Sequence, residues 1–126
     1  MALVSLIRYL QSVKPRALVT RAFQTVINDN PTEIIYNEYV SYHLIVAKQV
    51  GGDVTACKVI PADDPSVEPK LSVIEIGGNG DIKYGAELLA EMLNIKKTLL
   101  LFFCLKDYEN ETIMTCIEAL KNEVKV

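Results

Sequence analysis

Lys97-Thr98-Leu99-Leu100-Leu101-Phe102-Phe103-Cys104-Leu105-Lys106 is the stretch on which the fold turns. Seven consecutive apolar residues lie between Thr98 and Lys106. A strand sends successive side chains to opposite faces of its sheet. Leu99, Leu101, Phe103 and Leu105 therefore share one face, and Leu100, Phe102 and Cys104 the other. Both faces are apolar, so this strand needs cover on each side. The run is far short of the roughly 20 residues a membrane helix requires.

Working outward, the flanks explain one cover. Downstream, Asn110–Val124 carries Ile113, Ile117, Leu120 and Val124 at helical spacing. Asn110 is placed to cap that helix and Glu111 to complement its dipole. Upstream, Ile82–Asn94 reads as a second helix, with Tyr84, Leu88, Met92, Leu89 and Leu93 as its apolar stripe. The earlier residues read as strands: Ala22–Ile27, Thr32–Val40, His43–Val50, Val54–Ile60 and Leu71–Ile76, rich in β-branched and aromatic residues. Asn28-Asp29-Asn30-Pro31 is a turn cluster, Ser41-Tyr42 a bend or bulge, and Gly51-Gly52-Asp53 a hairpin turn returning into Val54–Ile60. Pro61–Lys70, with three prolines and three acids, is a surface loop. Strands first and helices last is the α+β pattern, a mostly antiparallel six-stranded sheet with two helices on one face.

At 126 residues this is one domain with a sizeable core, and half of its residues are hydrophobic. The net charge of −3 is unevenly spread: residues 1–28 hold Arg8, Lys14, Arg16 and Arg21 and no acid, while the remainder sums to −7. An acidic body argues against nucleic acid as a partner. Met1–Val13 places Leu3, Ile7, Leu10 and Val13 near helical spacing, and Pro15 stops the pattern. Residues 1–21 thus read as a basic N-terminal extension to a domain over 22–126. The extension is a docking helix, a loose tail or a targeting segment; the last of these is an alternative to cytoplasmic localisation.

The chemistry-bearing residues resolve into plain readings. Gly77-Gly78-Asn79-Gly80 lies where phosphates bind in nucleotide folds, but neither GxGxxG nor GK[ST] is completed. His43, the sole histidine, has no nucleophile signature near it and reads as structural. Cys57, Cys104 and Cys116 form no CxxC and read as buried thiols of a reducing compartment. No metal or other cofactor is expected. Glu87 and Glu91, spaced i, i+4, read as a solvated face.

The feature left over is surplus sheet hydrophobicity. Two helices cover one face, yet Thr32–Val40, His43–Val50 and Leu99–Leu105 are apolar both ways. An exposed patch of this kind marks an interaction site, satisfied most simply by a two-fold dimer. Leu99, Leu101, Phe103 and Ile45 are named as candidate partner-binding residues, with Asp63, Asp64 and Glu68 of the proline-rich loop for a basic partner.

Residues 32–61, TEIIYNEYVSYHLIVAKQVGGDVTACKVIP, and the order strand, Gly-rich turn, helix, KKTLLLFFCLKD, helix over 71–121 carry a resemblance. The pattern is similar to the proteasome assembly chaperones, of the third-chaperone type, over about residues 22–124. In that family the strand matching Thr98–Asp107 is likewise aliphatic and ends in Lys-Asp. It leads into a helix with a motif like Glu118-Ala119-Leu120-Lys121. The resemblance implies a small non-enzymatic protein, without ATP or metal, that dimerises with itself or with a fourth-type chaperone through its sheet. It further implies binding to an alpha-type subunit of the 20S core particle and ordered alpha-ring assembly, with departure before the particle is complete. Met1–Arg21 departs from the family pattern. Two other readings compete: a roadblock-like dimerising scaffold of trafficking or signalling complexes, which would place a long helix among the early strands, and a small enzyme with a pocket under Gly77–Asp81.

Overall fold

Asn28 and Asp29 both adopt positive φ, 51° and 63°. That is the backbone of a two-residue hairpin turn whose twist matches the strands it joins. The turn folds β1 (Val19–Ile27) onto β2 (Asn30–Glu38). The computed structural model describes residues 17–64, 66–78 and 81–123. The N-terminal helix expected over Met1–Val13 lies outside them. The remaining elements are β3 (Tyr42–Gln49), β4 (Asp53–Pro61), β5 (Leu71–Gly77), α1 (Lys83–Met92), β6 (Thr98–Leu105) and α2 (Asn110–Glu123). The expected α+β fold with a mostly antiparallel six-stranded sheet is therefore the one observed, with element ends shifted by a few residues.

Two turns differ from expectation. The Ser41 region is a full reversal: the Tyr39 N–H donates to the Tyr42 carbonyl at 2.8 Å, and β3 runs back along β2. Gly51-Gly52-Asp53, expected to close a hairpin, does not, because β3 and β4 are not neighbours. The sheet order is β1-β2-β3-β6-β4-β5, with β6 parallel to β3 and antiparallel to β4. The glycines carry the chain across the end of the inserted strand. A Cβ on Gly52 would come within 2.5 Å of the Cys104 carbonyl oxygen, a backbone atom that cannot swing away.

Side chains lock both ends of β6 into its slot. At its start, Lys97 Nζ lies 2.8 Å from Glu38 Oε2 and 2.6 Å from the Tyr39 carbonyl, tying β6 to the β2–β3 turn. At its end, the buried Gln49 side chain accepts the Lys106 N–H at 2.9 Å and donates to Thr32 Oγ1 at 3.0 Å. The Tyr108 hydroxyl donates to the Asp53 carbonyl and accepts the Leu105 N–H at 3.3 Å.

The helices lie on one face of the sheet. Their side of the core holds Ile34, Ile45, Cys57, Val59, Leu99, Leu101, Phe103 and Leu105 from the strands, with Ala86, Leu89, Ala90, Ile113, Cys116, Ile117 and Leu120 from the helices. The stripe on α1 is narrower than expected. Tyr84 is exposed, and the buried positions are Gly85, Ala86, Leu89 and Ala90. Small residues let α1 approach closely: a Cβ on Gly85 would stand 2.5 Å from Ile113 Cγ2. The start of α2 also differs. Asn110 is its first residue, and the side chain serving this end is Asp107, whose Oδ1 accepts from Glu109 N–H at 3.1 Å and Thr112 Oγ1 at 2.6 Å.

These approaches set a stability prediction. Gly52→Ala and Gly85→Val each force atoms into occupied space, and each is expected to cost about 1–3 kcal/mol. Urea denaturation reads the loss as a lower midpoint at unchanged slope. Adding Ile113→Ala should restore part of the loss in the Gly85 variant and none in the Gly52 variant.

Candidate functional site

The register decides which side chains point away from the helices. Ile35 stands opposite Val46, Val46 beside Phe102, and Phe102 opposite Ala56. One row nearer the β2–β3 turn, Asn37, Leu44 and Leu100 are neighbours. Leu44, Ala56 and Phe102, together with Tyr39, form a second buried cluster, flanked by Ala17, Tyr42, Val46 and Leu100. The Tyr39 and Tyr42 rings pack with centroids 4.7 Å apart at its margin. Beyond the cluster the same face carries the exposed Val26 and Ile74.

This corrects the candidate residues. Leu99, Leu101, Phe103 and Ile45 all point under α1 and α2 and are at most 1 % exposed, so they have no surface to offer a partner. The apolar residues facing the other way are their sequence neighbours Leu44, Val46, Leu100 and Phe102. Nothing in the strands distinguishes the two sets, since both are aliphatic; only the side on which the helices settle does.

Asp63, Asp64 and Glu68 are exposed on the β4–β5 loop. The Asp64 carboxylate accepts both the Ser66 N–H (2.9 Å) and the Ser66 hydroxyl (2.7 Å), which hold its pKa below the usual carboxylate value. The loop borders an open cleft of about 830 Å³ that reaches the end of α1 at Glu91 and Asn94.

A second cleft, about 590 Å³, opens where the β1–β2–β3 end meets the α1–β6 connection. Arg21, Lys96 and Lys97 line it with Glu38, Tyr36 and His43. Glu38 is held below its usual pKa, chiefly by the hydrogen bond from Lys97. Tyr36 is pushed up to about 12, chiefly by burial, and its hydroxyl is hydrogen-bonded with His43 Nδ1 at 3.0 Å. Burial lowers the His43 pKa, and Lys97 adds to this while Glu38 opposes it. The imidazole is thus neutral at pH 7. These contacts give His43 a packing role between two strands, as read from the sequence. Burial also raises all three thiols, Cys57 and Cys116 to about 12. Among the described residues, no cluster of His, Cys, Asp and Glu has the makings of a metal site.

No family model matches the sequence, and no curated protein does. Solved structures do. A chain from the crystal structure of a chaperone complex for yeast 20S proteasome assembly has a TM-score of 0.64 to this chain. The match covers 84 % of this chain and 98 % of that one, at 15 % identity. The fold resembles that of a proteasome assembly chaperone.

The depressed His43 pKa has a measurable consequence. Its folded value lies below the unfolded value of 6.5, so the unfolded chain takes up a proton first as pH falls. The contribution is complete above about pH 6.5 and is lost as pH falls towards the folded pKa. Urea midpoints taken from about pH 7 down to about pH 5 should decline in the native chain. The decline should flatten in His43→Gln, which cannot titrate.

Proposed function

We propose that this chain is a non-enzymatic chaperone that, as a homodimer or as a heterodimer with a fourth-type assembly chaperone, binds an alpha-type subunit of the 20S proteasome and promotes alpha-ring assembly. The observation that carries the reading is the fold likeness to a chain of a yeast 20S assembly chaperone complex across nearly the whole of that chain. Two features of this molecule support it. On the side away from α1 and α2, the described strands carry the exposed Val26 and Ile74 on the same face as the Leu44–Ala56–Phe102 cluster, apolar surface suited to a stable like partner. The β4–β5 loop presents Asp63, Asp64 and Glu68 to solvent, suited to a releasable polar contact. The face therefore serves dimerisation and the loop the proteasome subunit, in the cytoplasm, with neither membrane nor nucleic acid as a partner. The roadblock-like alternative gains nothing here, since β1 to β5 follow one another with no long helix between them.

Affinity purification of the tagged full-length chain, followed by mass spectrometry, tests the reading. Recovery of alpha-type 20S subunits with a second small chaperone is the expected result. A different stoichiometric partner, with no alpha-type subunit, would overturn it. Charge reversal at Asp63, Asp64 and Glu68 together should reduce recovery of the alpha-type subunit and leave the small partner in place. Unchanged recovery of both would remove the loop from the contact.

A further inference from the structure

Three strands bring a row of unlike groups to one corner of the sheet. Val19 and Arg21 of β1 stand opposite Glu38 and Tyr36 of β2, and His43 of β3 stands opposite Glu38. Tyr36 packs in the main core, so this row lies on the face that α1 and α2 occupy. Leu93, Asn94 and Lys96, at the end of α1 and just after it, complete the wall of the cleft of about 590 Å³.

The charge of this cleft is opposite in sign to that of the chain. Three cations, Arg21, Lys96 and Lys97, meet one carboxylate, Glu38, in a chain of net charge −3. Lys97 is already committed to Glu38 and to the Tyr39 carbonyl. Arg21 and Lys96 are exposed and, among the described residues, form no ion pair. The Lys96 ammonium has a neutral contact, the Asn94 side-chain oxygen at 3.3 Å. The carbonyls that end α1 do not occupy the two cations. Those of Leu89, Ala90 and Glu91 accept the N–H groups of Leu93, Ile95 and Asn94. Arg21 and Lys96 thus keep their donors free, and carboxylates are the groups that such donors bind most strongly.

Shape narrows the ligand further. The wall is apolar at the half-buried Val19 and at Val40, which is 77 % exposed. The cleft beside the β4–β5 loop shares Asn94, Lys96 and Lys97 with this one, so the two form one groove across the α1–β6 connection. Two joined lobes, open to solvent, fit an extended chain better than a compact small molecule. A nucleic acid needs an unbroken basic stripe, and the second lobe interrupts it with Asp63 and Glu91.

We propose that this groove binds an extended acidic segment of a partner protein. Arg21 and Lys96 take its carboxylates, and Val19 and Val40 seat an apolar side chain next to them. The contact is opposite in charge to that of the loop acids. It rests on the lining of the groove and not on the proteasome reading.

Chemical shifts of the isotopically enriched full-length chain test this. The probe is a short peptide of alternating leucine and glutamate, blocked at both ends. Saturable shifts are expected at the backbone amides of Arg21, Val40, Asn94 and Lys96, and none at Glu118 or Lys121 on α2. Glutamine in place of glutamate should abolish them. Arg21→Glu with Lys96→Glu should weaken binding roughly tenfold or more. Lys83→Glu with Lys121→Glu makes the same change in net charge away from the groove and should leave binding within about twofold. All the substituted residues are exposed, so urea midpoints should hold. Equal weakening by the two pairs would reduce the effect to overall charge and overturn the proposal. Equal binding of the glutamine peptide, or shifts confined to other residues, would overturn it too. Free glutamate or inorganic phosphate binding as tightly as the peptide would make a small anion the ligand, and tighter binding of an oligothymidylate would make it a nucleic acid; either result overturns the proposal. No proteasome component is present, so these results stand apart from the affinity purification.

Discussion

One strand in one slot holds this molecule together. Without β6, β1–β2–β3 and β4–β5 are separate hairpin sheets with no hydrogen bonds between them. β6 joins them by pairing with β3 on one edge and β4 on the other, and it is the last strand in the sequence. Long loops must close before that pairing gives any return, so the union of the two halves is a non-local step. Both of its ends are secured by residues far away in sequence. Lys97 reaches the β2–β3 turn and Lys106 is held by Gln49. The ion pair at the start is half-exposed and worth little by itself. Its value is positional, because it also satisfies the Tyr39 carbonyl beside the apolar face.

Insertion also explains why β6 must be apolar on both sides. A central strand is flanked by neighbours that keep water from its edges, so its faces decide its burial. Towards the helices it contributes Leu99, Leu101, Phe103 and Leu105 to the main core. Away from them it contributes Phe102 to the smaller cluster. Burying a large apolar side chain is worth roughly 1.5–3 kcal/mol, so leaving several of them wet is a substantial loss for a domain of this size. The face turned away from α1 and α2 is thus as much a constraint on the protein as the core is.

The elements were legible in the sequence because their periods are strong. β-branched alternation marks the early strands, and the apolar i, i+3, i+4 spacing marks α2. Strand order was not legible. Gly51-Gly52-Asp53 has the composition of a hairpin turn, and only the distant β6 makes it a crossing over another strand's end. The apolar stripe of α1 was misread because Gly85, Ala86 and Ala90 weigh little as hydrophobes while their smallness is what admits close packing. The candidate partner residues failed for a related reason. Leu99 and Leu100 are chemically alike, and a period of two assigns them to opposite faces without saying which face the helices take. The loop acids and the packing role of His43 were visible because each depends on local composition.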